Sequence, residues 1–231
     1  MAFGIFSIER FYGIDVILDT LIIIISGLIS VQSKKIYSII KDKDYKRFSM
    51  AFALIGFAFL FKIIIGLTIL HTIEITEINL FSQIGNIIEN LQIINFYSIL
   101  FFKIFLMVGV IALFLITNKN KKSQNLFLLI YFGTISVILS IYANFIFYFT
   151  ISIILSLLVI YFYKNFKENP SQHRKLTFLA FLFILIGNTI EIFNVYSNIF
   201  YISYEILLFV GFSILFTNHL RIRNGKKKNK N

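Results

Sequence analysis

Charge is what this sequence has least of. Asp, Glu, Lys and Arg together make up 14% of its 231 residues, against about a quarter in an ordinary soluble domain. That is too little to clothe a water-facing surface. There is no cysteine, which excludes disulfide frameworks, thiolate metal sites and cysteine nucleophiles. There is no tryptophan either, so an interfacial aromatic belt falls to the 12 tyrosines. The single proline, Pro170, lies outside every long apolar run, so no run carries a built-in helix breaker.

What is present is apolar. The chain is 58% hydrophobic, with 29 phenylalanines and a mean hydropathy of +0.84. It reads as an all-α integral membrane protein of the cell membrane, surrounded by lipid. The heavy use of Ile, Lys, Asn and Phe fits an AT-rich prokaryotic genome. The net charge of +11 does not point to nucleic acid, because the basic residues fall in short patches between apolar runs, as topology signals do. The stretch Met1-Ala2-Phe3-Gly4-Ile5-Phe6 has no basic n-region and no small-residue cleavage site, so the first span is expected to stay in the mature protein.

A helix needs about 20 apolar residues to cross a hydrocarbon core of roughly 30 Å. Three runs have that length alone: 12–31, 48–70 and 93–116. Two others are about twice as long and are flanked by Lys or Arg at both ends, so each is expected to cross twice. Turns at Ala143-Asn144 and Ser197-Asn198 divide them into 125–142 with 145–163, and 176–196 with 199–220. The reading is a single bundle of seven spans with a short basic tail, 221–231, too short to fold by itself.

Loop charge then orients the bundle. Of the 22 basic residues, 19 fall in the loops after spans one, three and five and in the tail. The first patch is Lys34, Lys35, Lys41, Lys43, Lys46 and Arg47. The opposite loops hold Arg10 with Glu9, Glu74, Glu77 and Glu89. The positive-inside rule places the N-terminus outside and the C-terminus in the cytoplasm. Between spans two and three, Ile84, Ile87, Ile88 and Leu91 recur at helical spacing, opposite Gln83, Asn86, Glu89 and Asn90. This predicts an amphipathic helix lying at the outer interface.

Six charged residues fall inside the spans: Asp15, Asp19, Lys62, Lys103, Glu191 and Glu205. Such a charge costs about 2.5 kcal/mol or more to insert, so it is expected to face the bundle interior and to have a partner. At about 1.5 Å per residue, five of them share one layer roughly 9–15 Å below the outer surface, with Asp15 a turn above. Asn188, Glu191 and Asn194 form a polar stripe on span six. Spans four and five are expected to lie at the edge of this layer. Three accounts compete. The layer is a set of ion pairs, Lys62 and Lys103 each with an acid, that fixes helix register; or an outward-facing polar pocket for a proton, a cation or a zwitterion; or some of its side chains, Asp15 first, snorkel outward to the water. Four acids against two lysines leave unpaired acids in either of the first two.

Several chemistries find no support. A microbial-type retinal protein needs a lysine in span seven, which offers Glu205 instead. His71, His173 and His219 sit at span ends or in loops, which disfavours intramembrane zinc and haem. No H-E-x-x-H, G-x-S-x-G or glycine-rich phosphate loop occurs. No cofactor, metal site or enzymatic activity is expected.

The segments Lys35-Ile36-Tyr37, Phe48-x-x-Ala51-Phe52 and Ala58-Phe59-Leu60-Phe61-Lys62 together resemble the first two spans of small archaeal seven-helix membrane proteins. Those are similar to the membrane-sensor halves of some archaeal histidine kinases, where arginine often stands at the place of Lys62. The resemblance implies a sensor-like or scaffold-like module; unlike the kinases, this chain carries no cytoplasmic catalytic domain. A separate cytoplasmic signalling protein is expected to dock on the basic segment Lys34–Arg47. Alternative readings are a small transporter for a proton, cation or zwitterion, and a structural organiser without ligand.

Overall fold

The computed structural model describes residues 13–77, 84–117 and 123–228. These form seven helices: α1 (Ile14–Ile40), α2 (Lys43–Glu77), α3 (Ile84–Thr117), α4 (Ser123–Leu139), α5 (Asn144–Glu168), α6 (Gln172–Glu191) and α7 (Asn198–Lys228). In hydrocarbon, a helix satisfies every backbone N–H and C=O within its own segment. All of these helices except α4 are long and apolar enough to cross a membrane. Their outward faces are as apolar as their inward ones: Ile17, Phe57, Phe132, Phe149 and Ile199 are each more than half exposed. Water would not tolerate such a surface, and lipid does. This is the architecture of a multi-pass membrane protein.

Consecutive helices pack against one another, α7 returns against α1, and α5 packs on α3 as well as on α4 and α6. The ring therefore closes as α1–α2–α3–α5–α6–α7, with α4 outside it. A cleft of about 540 Å³ lined by Leu128, Phe132, Phe149 and Ile153 separates the faces of α4 and α5. Span five buries Phe147, Tyr148, Ile151, Leu155 and Leu158 and belongs to the ring, while α4 packs outside it. Two glycines allow the closest helix contacts. A Cβ on Gly109 of α3 would stand 2.7 Å from Ile55 Cγ1 and 3.2 Å from the Ala51 carbonyl of α2. One on Gly211 of α7 would stand 2.6 Å from Ile184 Cγ1 and 2.9 Å from the Ala180 carbonyl of α6.

The turns follow local chemistry. α5 begins at Asn144 and α7 at Asn198, where small polar residues interrupt the apolar runs. Between α5 and α6, the Ser171 side chain accepts from the Arg174 backbone N–H. Arg174 Nη1 in turn donates to the carbonyls of Asn165 and Asn169 at the end of α5, satisfying groups the helix leaves open. Between α1 and α2, Lys41 takes the left-handed conformation (φ 60°), and the Asp42 carboxylate accepts from the Asp44 N–H at 3.0 Å.

Three expectations change. The basic segment Lys34–Arg47 is not a loop: Lys34 and Lys35 lie in α1, while Lys43, Lys46 and Arg47 lie in α2, leaving Lys41 and Asp42 as the whole connection. No proline interrupts either helix, and the αL turn reverses the chain in two residues. The segment expected to lie at the interface is helical from Ile84, but it runs on unbroken into α3; Gln83 lies outside the described residues. The tail is not an unfolded extension either. α7 continues through it to Lys228, and basic residues suit the negative end of a helix.

Candidate functional site

Lys62, fifteen residues before the end of α2, is the centre of the charged layer. Its ammonium donates to Asp19 Oδ1 of α1 at 2.9 Å and to Glu205 Oε1 of α7. One lysine thus ties three helices. All three side chains are buried, Asp19 to 2% and Glu205 to 0% exposure. The ammonium also lies over the rings of Phe59 and Tyr204, 5.2 and 5.1 Å from their centroids, which adds attraction from the ring faces. A turn nearer the start of α1, the Tyr201 hydroxyl donates to Asp15 Oδ2 at 3.1 Å. Asp15 is buried against α7 rather than drawn out to the water. α1 can come this near α2 because Gly66 faces it: a Cβ there would meet Val16 Cγ2 at 3.0 Å.

Glu191 ends α6. Its Oε1 accepts from Asn194 Nδ2 at 2.9 Å, while Oε2 has no hydrogen-bond partner among the described residues. Asn188 does not share that task. Its Nδ2 turns back to the Ile184 carbonyl at 2.8 Å, and its Oδ1 has no hydrogen-bond partner among the described residues. Of the two amides flanking Glu191, one holds the carboxylate and the other does not.

Lys103 departs furthest from expectation. It is buried, at 5% exposure, but makes no salt bridge with any acid among the described residues. Its ammonium donates to the carbonyl of Ser140 at 3.2 Å and to Ser140 Oγ at 3.0 Å, and stands 5.7 Å from the Phe147 ring centroid. Ser140 follows the last residue of α4, so the lysine meets the carbonyl end of a helix, which carries about half a negative charge. The partner is a helix end instead of a carboxylate. It follows that one lysine, not two, faces the four acids.

A cavity lies between this layer and the Lys41 end of the bundle. It holds about 30 Å³ and is lined by Phe52, Phe59, Leu106, Leu155, Phe181 and Phe212 among others, with Asn188 and Tyr204 supplying the polar side chains. Closer to the Lys41 end, polar contacts join helices in pairs. Ser30 and Ser49 exchange hydroxyl-to-carbonyl bonds at 2.8 Å between α1 and α2. Asn218 Nδ2 of α7 donates to the His173 carbonyl and to Thr177 Oγ1 of α6.

The structure therefore brings together Asp19, Lys62 and Glu205, sets Asp15 and Glu191 with Asn194 beside them, and turns Lys103 to Ser140 at the end of α4. Sequence reasoning missed Tyr201, Tyr204 and Ser140. The tyrosines stand at i−4 and i−1 from Glu205, a spacing that could have marked them. Ser140 carries no such signal. No family model, curated protein or solved structure matches the chain.

Proposed function

We propose that this chain is a sensor-like membrane module: a seven-span bundle with the N-terminus outside, a polar layer reached from the outer side, and a separate cytoplasmic protein as its output. The observation that carries the reading is the one-sidedness of the layer. Inward of Lys62 the interior closes with Phe52, Phe59, Phe181 and Phe212 around a small cavity; some deeper polar groups are spent on helix–helix bonds, and Ser26 and Ser33 stand singly, buried on α1. A transporter has to expose one site to both sides; among the described residues no charged side chain is buried between this layer and the Lys41 end of the bundle. The Asp19–Lys62–Glu205 knot links α1, α2 and α7, and α1 and α2 lead straight to the basic hairpin end at Lys41, where Lys34, Lys35, Lys43 and Lys46 are exposed. A change at the knot has a mechanical path to that docking end.

The seventh span is α4. Its 17 residues make about 25 Å of helix, at the short end of what a crossing requires. The excess of acids over lysines favours a transporter as the second reading. Proteoliposomes carrying an internal pH dye separate the two. The sensor reading expects no flux of protons or of cations down an imposed gradient; sustained flux establishes the transporter.

A further inference from the structure

We propose that the ligand of the outward layer is a proton, held on Glu191 Oε2 and donated toward Asn188 Oδ1. This deepens the sensor reading and rests on it for its biological meaning, while its chemistry stands separately. Asn188 directs its amide nitrogen at the Ile184 carbonyl, and its oxygen can only accept. Glu191 accepts from Asn194 on Oε1, and its Oε2, ionised, can only accept as well. Both orphan oxygens lie on one face of α6, three residues apart, and both residues are buried. Two acceptors cannot satisfy each other. A proton on Oε2 makes that oxygen a donor, with Asn188 Oδ1 one turn away as an acceptor.

Charge leads the same way. The titratable groups that act on Glu191 from the surrounding helices are Tyr148 of α5, Tyr204 and Glu205 of α7, and Lys62 of α2. The lysine is already shared by Asp19 and Glu205. Glu191 also ends its helix, where the backbone carbonyls repel a negative group. A metal ion would need several acidic or histidine side chains converging on one point, and no such group occurs among the described residues.

Infrared difference spectroscopy of the purified protein in nanodiscs, titrated from acid to alkaline buffer, tests the proposal. The wild type should lose a protonated-carboxyl C=O band as pH rises, and Glu191→Gln should lack that band throughout. Persistence of the band in Glu191→Gln, with its disappearance in Glu205→Gln, overturns the assignment. So does thermal stabilisation by sodium, potassium or calcium chloride over choline chloride at fixed pH that Glu191→Gln abolishes. Should Glu191→Gln not fold, Asn188→Leu keeps the carboxyl and removes its acceptor: the band should move to higher frequency, and an unmoved band sinks the proposal. Proton flux through wild-type proteoliposomes would topple the sensor reading and leave the proton site standing.

Discussion

Lys62 and Lys103 differ by what each would abandon. Replacing Lys62 by methionine strands two buried carboxylates, and breaking a buried pair costs about 3–5 kcal/mol. Replacing Lys103 removes hydrogen bonds to a helix end and leaves no acid behind, a loss of about 1.5–3 kcal/mol for bonds to a charged donor. Glu191→Gln is the mildest of the three. Its amide nitrogen supplies the donor that Asn188 Oδ1 lacks, and its oxygen still accepts from Asn194. Thermal melts in detergent should therefore rank Glu191→Gln nearest wild type, then Lys103→Met, then Lys62→Met. A Glu191→Gln variant least stable of the three would make Glu191 a structural partner. The charges were legible in the sequence because each stands alone in an apolar run, and helical rise gives its depth. Partners were not, because depth says nothing of which helix lies alongside. Lys103 shows this best: its counterpart is the carbonyl end of α4, which has no charged letter to read.

Helix packing puts a second comparison within reach. Gly27 has nothing within 4 Å of where a Cβ would stand, whereas Gly211 faces the Ala180 carbonyl and Ile184 at under 3 Å. Gly211→Ala forces α6 and α7 apart and should destabilise by about 1–3 kcal/mol, the usual range for overpacking. Gly27→Ala should leave the melting temperature unchanged or raised. Equal melting temperatures for the two variants would mean that the α6–α7 contact is looser than described. The elements themselves were largely readable, since apolar run length sets helix number and small polar residues set the turns. Their ends were not. α1, α2, α3 and α7 each run beyond the apolar run that announced them, because helix propensity and capping continue after hydropathy has stopped giving a signal. Hence the basic segment Lys34–Arg47, which read as a loop, is two helix ends joined at Lys41 and Asp42.

For the molecule as a whole, the orientation rests on the lopsided distribution of basic residues, and it is testable at two positions. Single cysteines at Glu77 and Lys121 should react with an impermeant thiol reagent from opposite faces of the membrane, Glu77 from outside. Labelling of both from the same face would remove the seven-span topology and, with it, the outward placement of the charged layer. Ring order was beyond the sequence: nothing in the apolar letters of α4 and α5 says which of the two joins the ring. The answer lies in shape, with Phe147 and Tyr148 meeting Phe102 and Tyr204 ring to ring.

Lys62 finds its two acids at very different distances along the chain, 43 residues to Asp19 and 143 to Glu205. On the ribosome this becomes a schedule. The first helical hairpin can leave the translocon with its lysine already neutralised by Asp19, so its insertion waits for nothing downstream. Glu205 emerges only after six helices have been made, and it meets an ammonium that is already engaged. The final helix therefore docks onto a finished ion pair and turns it into a three-way junction. Assembly of this bundle ends with the arrival of a second negative charge at a lysine that has no further positive charge to offer, and any surplus must be carried in with α7 or taken up there.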